Sequence, residues 1–214
     1  MTTDRRSGRT RGWLRSAFLE LLLEQSFETI TIQDITDRAN TARVTFYRHY
    51  QDKHAILDDC LEAIYHDLVP HLESSSVLPL LTSHQPPPIE RLYAHIDANQ
   101  ALYRALLSGS IAPRVRQRIQ TYIAAAIMTT MRDTGVGEQV RVPLDMVAQY
   151  GAVSTLGMIV WWLDTDQPYP VAYLAQVTYW LGLIGMVGMM DAPLPVVAPD
   201  LTAPPARVLR KPKR

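Results

Sequence analysis

The sequence has one cysteine, Cys60, so no disulfide can close within the chain. That usage suits a reducing compartment, and a cytoplasmic location is expected. Surplus charge is missing as well: 21 Lys and Arg balance 21 Asp and Glu. A zero sum argues against a surface basic all over, and any polyanion would have to be met by a local cluster. The N-terminus is polar and Arg-rich with no apolar core, so no secretory signal is expected. No segment sustains a period of two, so no strand is expected. There is no Gly-rich phosphate loop, nucleophile elbow or paired-carboxylate motif. The histidines, at 49, 54, 66, 71, 84 and 95, include no i, i+4 pair of the kind that holds a metal on a helix. Asp67 with His71 has that spacing but reads as a surface pair without supporting partners. Neither an enzyme nor a cofactor or metal site is expected.

One long apolar run is present, over 171–190. It carries no charge, but it includes Gln176 and Thr178 and is barely long enough to span a bilayer. A helix apolar all round is also what a subunit interface requires, and no membrane association is expected. Hydrophobic residues make up 47% of the chain, which places it among globular proteins with ample material for a core.

The most informative stretch is 31–53. Ile32, Ile35 and Ala39 recur at helical spacing, with Thr31 as N-cap and Asp34 near the helix's positive end. Asn40 then tolerates the positive φ that a turn after a helix needs. A second helix carries Arg43 to Tyr50. Val44 and Tyr47 are expected to face the first helix, with Phe46 and Tyr50 forming a second inward ridge four residues apart. Arg43, Thr45, Arg48 and His49 remain as donors. Two short helices with a donor-rich face form a helix-turn-helix of the kind that enters a DNA major groove. Arg43 and Thr45 are expected to touch bases, Arg43 as the stronger reader. Tyr47 is expected to divide its ring and hydroxyl between packing and phosphate. Asp52 caps the next helix, and Lys53 at its first turn is expected to meet a phosphate.

These residues, Thr-Ile-Gln-Asp-Ile-Thr-Asp-Arg-Ala-Asn over 31–40, Arg-Val-Thr-Phe-Tyr-Arg-His-Tyr over 43–50 and Asp-Lys at 52–53, resemble the DNA-binding domain of the TetR family of bacterial transcription regulators. The resemblance covers roughly 9–57. Two positions depart from the pattern: Ala42 stands where a capping Ser is usual, which leaves Thr41 as the expected cap, and Thr41 itself replaces an apolar residue. The resemblance implies that Lys53 contacts the DNA backbone, and Thr31 and Thr41 complete the expected DNA-contacting set.

Elsewhere the apolar spacing predicts a first helix over 10–25, a fourth helix from Lys53 that Pro70 kinks or ends, and helices over 89–98, 100–107, 114–132, 144–164 and 170–189. The expected organisation is all-α: a flexible basic arm over 1–8, a three-helix DNA-binding domain over 9–53, a larger helical regulatory and dimerisation domain over 54–190 and a disordered Pro-rich basic tail over 191–214. A Ser- and Pro-rich linker lies at 74–88. Helices 8 and 9 are more apolar than one buried face needs, and Gly182, Gly185 and Gly188 strip one side of helix 9. The resemblance implies that this pair forms a four-helix dimer interface, with Leu156, Val160, Tyr179, Gly182 and Gly185 as its candidates. It further implies a homodimer on a palindromic double-stranded operator, most simply a repressor released by a partly apolar small molecule bound among helices 4 to 8. Candidate lining residues are Ile64, Leu68, Tyr93, Tyr103, Leu106, Tyr122, Met128, Met146, Tyr150 and Trp161. The alternative is a regulator with no small-molecule inducer, either an activator or one gated by a partner.

Overall fold

The computed structural model describes residues 2–72, 87 and 89–188. Nine α-helices and a 3-10 turn occur among the described residues, with no β-strand. They are α1 (Thr2–Glu24), α2 (Ile32–Arg38), α3 (Arg43–His49), α4 (Lys53–Leu72), α5 (Ile89–Ala98), α6 (Gln100–Leu106), α7 (Ala112–Asp133), α8 (Leu144–Asp164) and α9 (Val171–Val187). The expected all-α architecture is present, with an N-terminal helix-turn-helix and a larger helical region after it. The expected linker over 74–88, apart from Pro87, and the tail over 191–214 lie outside the described residues.

The chain divides into two compact units, Met1–His66 with Ala101–Val115, and Asp67–Gln100 with Arg116–Arg214. The part of α4 up to His66 and all but the first residue of α6 therefore fold with the helix-turn-helix, beyond the boundary expected at residue 53.

In the first unit, Leu14, Ala17, Phe18, Leu21 and Leu22 bury the expected stripe of α1, closed by Phe27 and Ile30. The Phe18 and Phe27 rings meet edge to face at 6.2 Å. Ile35 of α2, Phe46 of α3 and Ile56, Leu57 and Cys60 of α4 are buried as well. Cys60 is core, and burial pushes its thiol up to about 12. Residues 2–8 of the arm expected over 1–8 are instead the first part of α1. Arginine is a good helix former, no proline intervenes, and Gly8 and Gly12 each cost only about 1 kcal/mol relative to alanine. α4 runs two residues past Pro70 to Leu72.

In the second unit, Leu92, Tyr93 and Ile96 of α5 are buried as expected. The Tyr93 hydroxyl shares a 2.9 Å hydrogen bond with Thr178 Oγ1, and its ring lies edge to face against Trp162 at 5.8 Å. Trp162 Nε1 donates to the Tyr169 carbonyl at 2.9 Å, so both buried aromatics satisfy their polar ends. Between α8 and α9, Asp166 and Gln167 both adopt positive φ, and buried Gln167 donates to Asp97 at 2.9 Å. That bond helps hold the positive φ of Gln167, a conformation that Asp tolerates better than Gln. α7 meets α8 closely: Ala124, Ala148 and Ala152 are buried among Ile123, Ile127 and Met128. A Cβ on Gly151 would stand 2.6 Å from Ile127 Cδ1, so a side chain there would require Ile127 to shift.

By length and composition, α8 is the one helix among the described residues that could cross a membrane. The run expected to invite that reading, over 171–190, is a helix of only 17 residues. The inward side of α8 is filled by Ala148, Ala152, Thr155, Leu156, Ile159, Trp162 and Leu163, as in the core helix of a globular unit.

Candidate nucleic-acid interface

Each end of α2 is set by its own sequence. Thr31 Oγ1 accepts from Asp34 N at 3.1 Å, while Asp34 Oδ2 accepts from Thr31 N at 2.8 Å and from the Thr31 hydroxyl at 2.7 Å. This reciprocal box satisfies donors that a helix start leaves unpaired. It also engages the Thr31 hydroxyl that was expected to reach DNA. Asn40 has φ 48°, the left-handed turn residue expected, and Thr41 N donates to Thr36 O at 2.9 Å. Thr41 does not cap α3, contrary to expectation. The N-cap position is Ala42, which has no side-chain acceptor and makes no capping bond.

α3 is only seven residues long, and Phe46 and Tyr50, both buried, define its inward side. At about 100° per residue that choice sends Val44 and Tyr47 outward. Val44 is 69% and Tyr47 51% exposed, so neither faces α2 as expected. The Tyr47 ring meets only the edge of Phe46, at 5.7 Å, and stands with exposed Arg43 and Arg48. Thr45 and His49 are half-buried beside this face.

Charge sorts the arginines of this unit. Arg38 grips Glu24 through bonds of 2.9 and 2.6 Å and reaches Glu20 at 3.3 Å. Arg114 forks onto Asp58 at 2.9 and 2.5 Å. Arg11 donates to Asp59, and Arg15 lies 3.8 Å from the same carboxylate. Arg43 and Arg48 make no ion pair or side-chain hydrogen bond with any described residue, and α3 contains no acid. Free guanidinium groups on an acid-free face suit phosphates and guanine edges.

Asp59, unremarked in the sequence, organises the back of this face. It accepts from the buried Tyr50 hydroxyl at 2.5 Å and from Arg11, tying the end of α3 to α1 and α4. Burial, followed by the bond to Asp59, raises the Tyr50 hydroxyl above its ordinary value. The signal in the sequence was an acid one residue before buried Cys60, facing an excess of arginine on α1. Asp59→Ala is expected to cost about 1–3 kcal/mol in urea unfolding, because the buried Tyr50 hydroxyl loses its acceptor. An unchanged midpoint would show that the network contributes nothing to the fold.

Lys53 has a different task from the one expected. Its Nζ donates to the carbonyls of Phe27, Glu28 and Ile30 at 2.8, 3.0 and 3.1 Å and lies 4.5 Å from the Phe27 ring centroid. An ammonium has three donors, and all three go to the α1–α2 connection. In this arrangement no donor of Lys53 is left for the phosphate it was expected to meet. Asp52 caps α4 as expected, accepting from His54 N at 2.8 Å and Ala55 N at 2.9 Å. Those bonds use amides that would otherwise attract an anion.

The same connection is held from the other side. Ser110 donates to the Glu28 carboxylate through both its hydroxyl and its backbone N–H, and the hydroxyl chiefly lowers the Glu28 carboxyl to about 2. With the Arg114–Asp58 fork, two bonded pairs join the α6–α7 turn and the start of α7 to the helix-turn-helix unit.

Of the candidate ligand-lining residues, Ile64, Tyr103 and Leu106 belong to the first unit, and the other seven to the second. Leu68, Tyr93, Tyr103 and Leu106 are buried, while Ile64, Tyr122 and Met128 are half-buried. Met146, Tyr150 and Trp161, expected to line a pocket, are 63%, 65% and 40% exposed. They fall instead on the outward side of α8, in register with exposed Val153 and Gly157. Of the expected dimer residues, Leu156 is buried within its own protomer. Val160, Tyr179 and Gly182 are half-buried, and Gly185 is exposed beside Leu181 and Ile184.

Residues 14–60 match a family profile described as "Bacterial regulatory proteins, tetR family". Residues 84–181 match another described as "Transcriptional regulator C-terminal region". A curated relative, the uncharacterized HTH-type transcriptional regulator YxbF of Bacillus subtilis (strain 168), is 28% identical over 180 residues, which is 81% of this chain and 44% of that protein. The chain thus spans less than half the length of this relative. Among solved structures, a TetR transcriptional regulator from Streptococcus agalactiae 2603V is 25% identical, with a TM-score of 0.61 over 85% of this chain and 98% of its own. The SmeT–triclosan complex is 14% identical, with a TM-score of 0.62 over 90% and 98%.

Proposed function

Because the chain belongs to the TetR family of bacterial transcription regulators, we infer that it is a cytoplasmic homodimer that binds a palindromic double-stranded operator with α3 in the major groove. The observation that carries this reading is that Arg43 and Arg48, on an acid-free α3, have no carboxylate partner among the described residues, whereas Arg11, Arg15, Arg38 and Arg114 each face one. The formal charge of zero is no obstacle, because the basic groups are sorted by place. The family reading also makes it a regulator and not an enzyme.

The finer reading is a repressor released by a partly apolar small molecule. Its support is the bonding of 101–115 to the helix-turn-helix unit: α7 begins there, on Asp58, and continues to Asp133. A ligand that shifted α7 would pull on those bonds. The likeness to SmeT is one of fold, and it brings no ligand identity to this chain.

Arg43→Ala tests the DNA reading. In gel shifts on the promoter beside its own gene, the variant is expected to lose about 1–3 kcal/mol of operator affinity and to relax preference at one base pair per half-site. A uniform loss on every sequence would restrict Arg43 to phosphate. No specific shift by the wild-type protein on any duplex would sink the reading itself.

A further inference from the structure

Val44 is the most exposed large apolar side chain among the described residues, at 69%. It buries nothing in the fold, and a β-branched residue is a poorer helix former than the alanine or arginine that could stand there. It lies with Tyr47 at i+3 and Arg48 at i+4 on the outward side of α3, and Arg43 precedes it. We propose that Val44 reads a thymine methyl group in the major groove, and so fixes one base pair of each half-site. The proposal rests on the DNA-binding reading above.

The chemistry leaves little choice of contact. Valine has no donor or acceptor, so it can hold neither phosphate nor a polar base edge. Of the groups on the major-groove floor, the thymine C5 methyl is the apolar one. Arg43 and Arg48, both without partners among the described residues, place cations beside Val44 for the flanking backbone phosphates. Because valine is stiff at χ1, little rotamer freedom is lost when its methyls are covered. The same face would turn a cytosine amino group against carbon and leave that donor unpaired.

The test uses the full chain and the best duplex recovered from a randomised pool. Thymines are replaced by deoxyuridine one symmetric pair at a time, which removes the methyl and keeps the pairing. At one thymine per half-site the wild type is expected to lose about fourfold per half-site, the worth of one covered methyl group, or roughly fifteenfold for the symmetric pair. Val44→Ala, which favours helix, is expected to bind the parent duplex correspondingly less well and to lose nothing further at that deoxyuridine. Val44→Thr keeps one methyl and is expected to fall between. If a specific operator is found but no thymine methyl matters more to the wild type than to Val44→Ala, the Val44 assignment is wrong and the DNA reading stands. If no duplex is enriched, both fall.

Discussion

Gly185→Glu is expected to turn the protein into monomers and to lower operator affinity by about two orders of magnitude or more, the scale at which linked half-site binding usually helps. The outward side of α8 exposes Met146, Tyr150, Val153 and Trp161, and that of α9 exposes Leu181 and Ile184. Soluble monomers rarely leave so much contiguous apolar surface to water. A Cβ on Gly157, Gly182 or Gly185 would meet nothing within 4 Å, so another helix has room to come close on that side. A carboxylate introduced there is harmless to the isolated protomer and becomes an unpaired buried charge only when a second copy covers it. Sedimentation of the variant distinguishes the two cases. A fully dimeric Gly185→Glu protein that still holds its operator would place the interface elsewhere.

Lys53→Met is expected to destabilise the protein by about 1.5–3 kcal/mol, the range for hydrogen bonds made by a charged group, while leaving the salt dependence of DNA binding unchanged. Methionine keeps an apolar chain over Phe27 but abandons the carbonyls of Phe27, Glu28 and Ile30. A phosphate-binding lysine would behave in the opposite way. Its loss would leave the unfolding midpoint alone and reduce the slope of log affinity against log salt by about one per half-site. Observing that second pattern would mean the ammonium leaves the loop when DNA arrives.

The two residues that most changed their reading show what a sequence exposes. α5 and α8 match their expected bounds, and the α1 stripe is buried as read, because helical periodicity and end signals are local. Asn40 and the Thr31–Asp34 pair were legible for the same reason. Val44 was misplaced because a seven-residue helix leaves two facings consistent with its pattern, and only tertiary contact decides between them. The bonds of Lys53 were not legible because its partners are backbone carbonyls more than twenty residues away, to which no side-chain pattern points. Asp59 was passed over inside an apolar stripe. Tyr150, Met146 and Trp161 were assigned to a pocket because an aromatic or methionine on an apolar helix reads alike whether it faces a core, a ligand or a second subunit. Glycine was the better guide there: Gly185 names the open side of α9 without any neighbour to suggest it.

Selection from randomised duplexes by the purified full-length protein tests the central claim most directly. The expected result is a motif of two inverted half-sites whose centres lie about one helical turn apart or a multiple of it, bound by two copies of the chain and lost on Arg43→Ala. A pool no more enriched than its input, or a single asymmetric site bound by one copy, would contradict a homodimeric DNA-binding regulator built on α3.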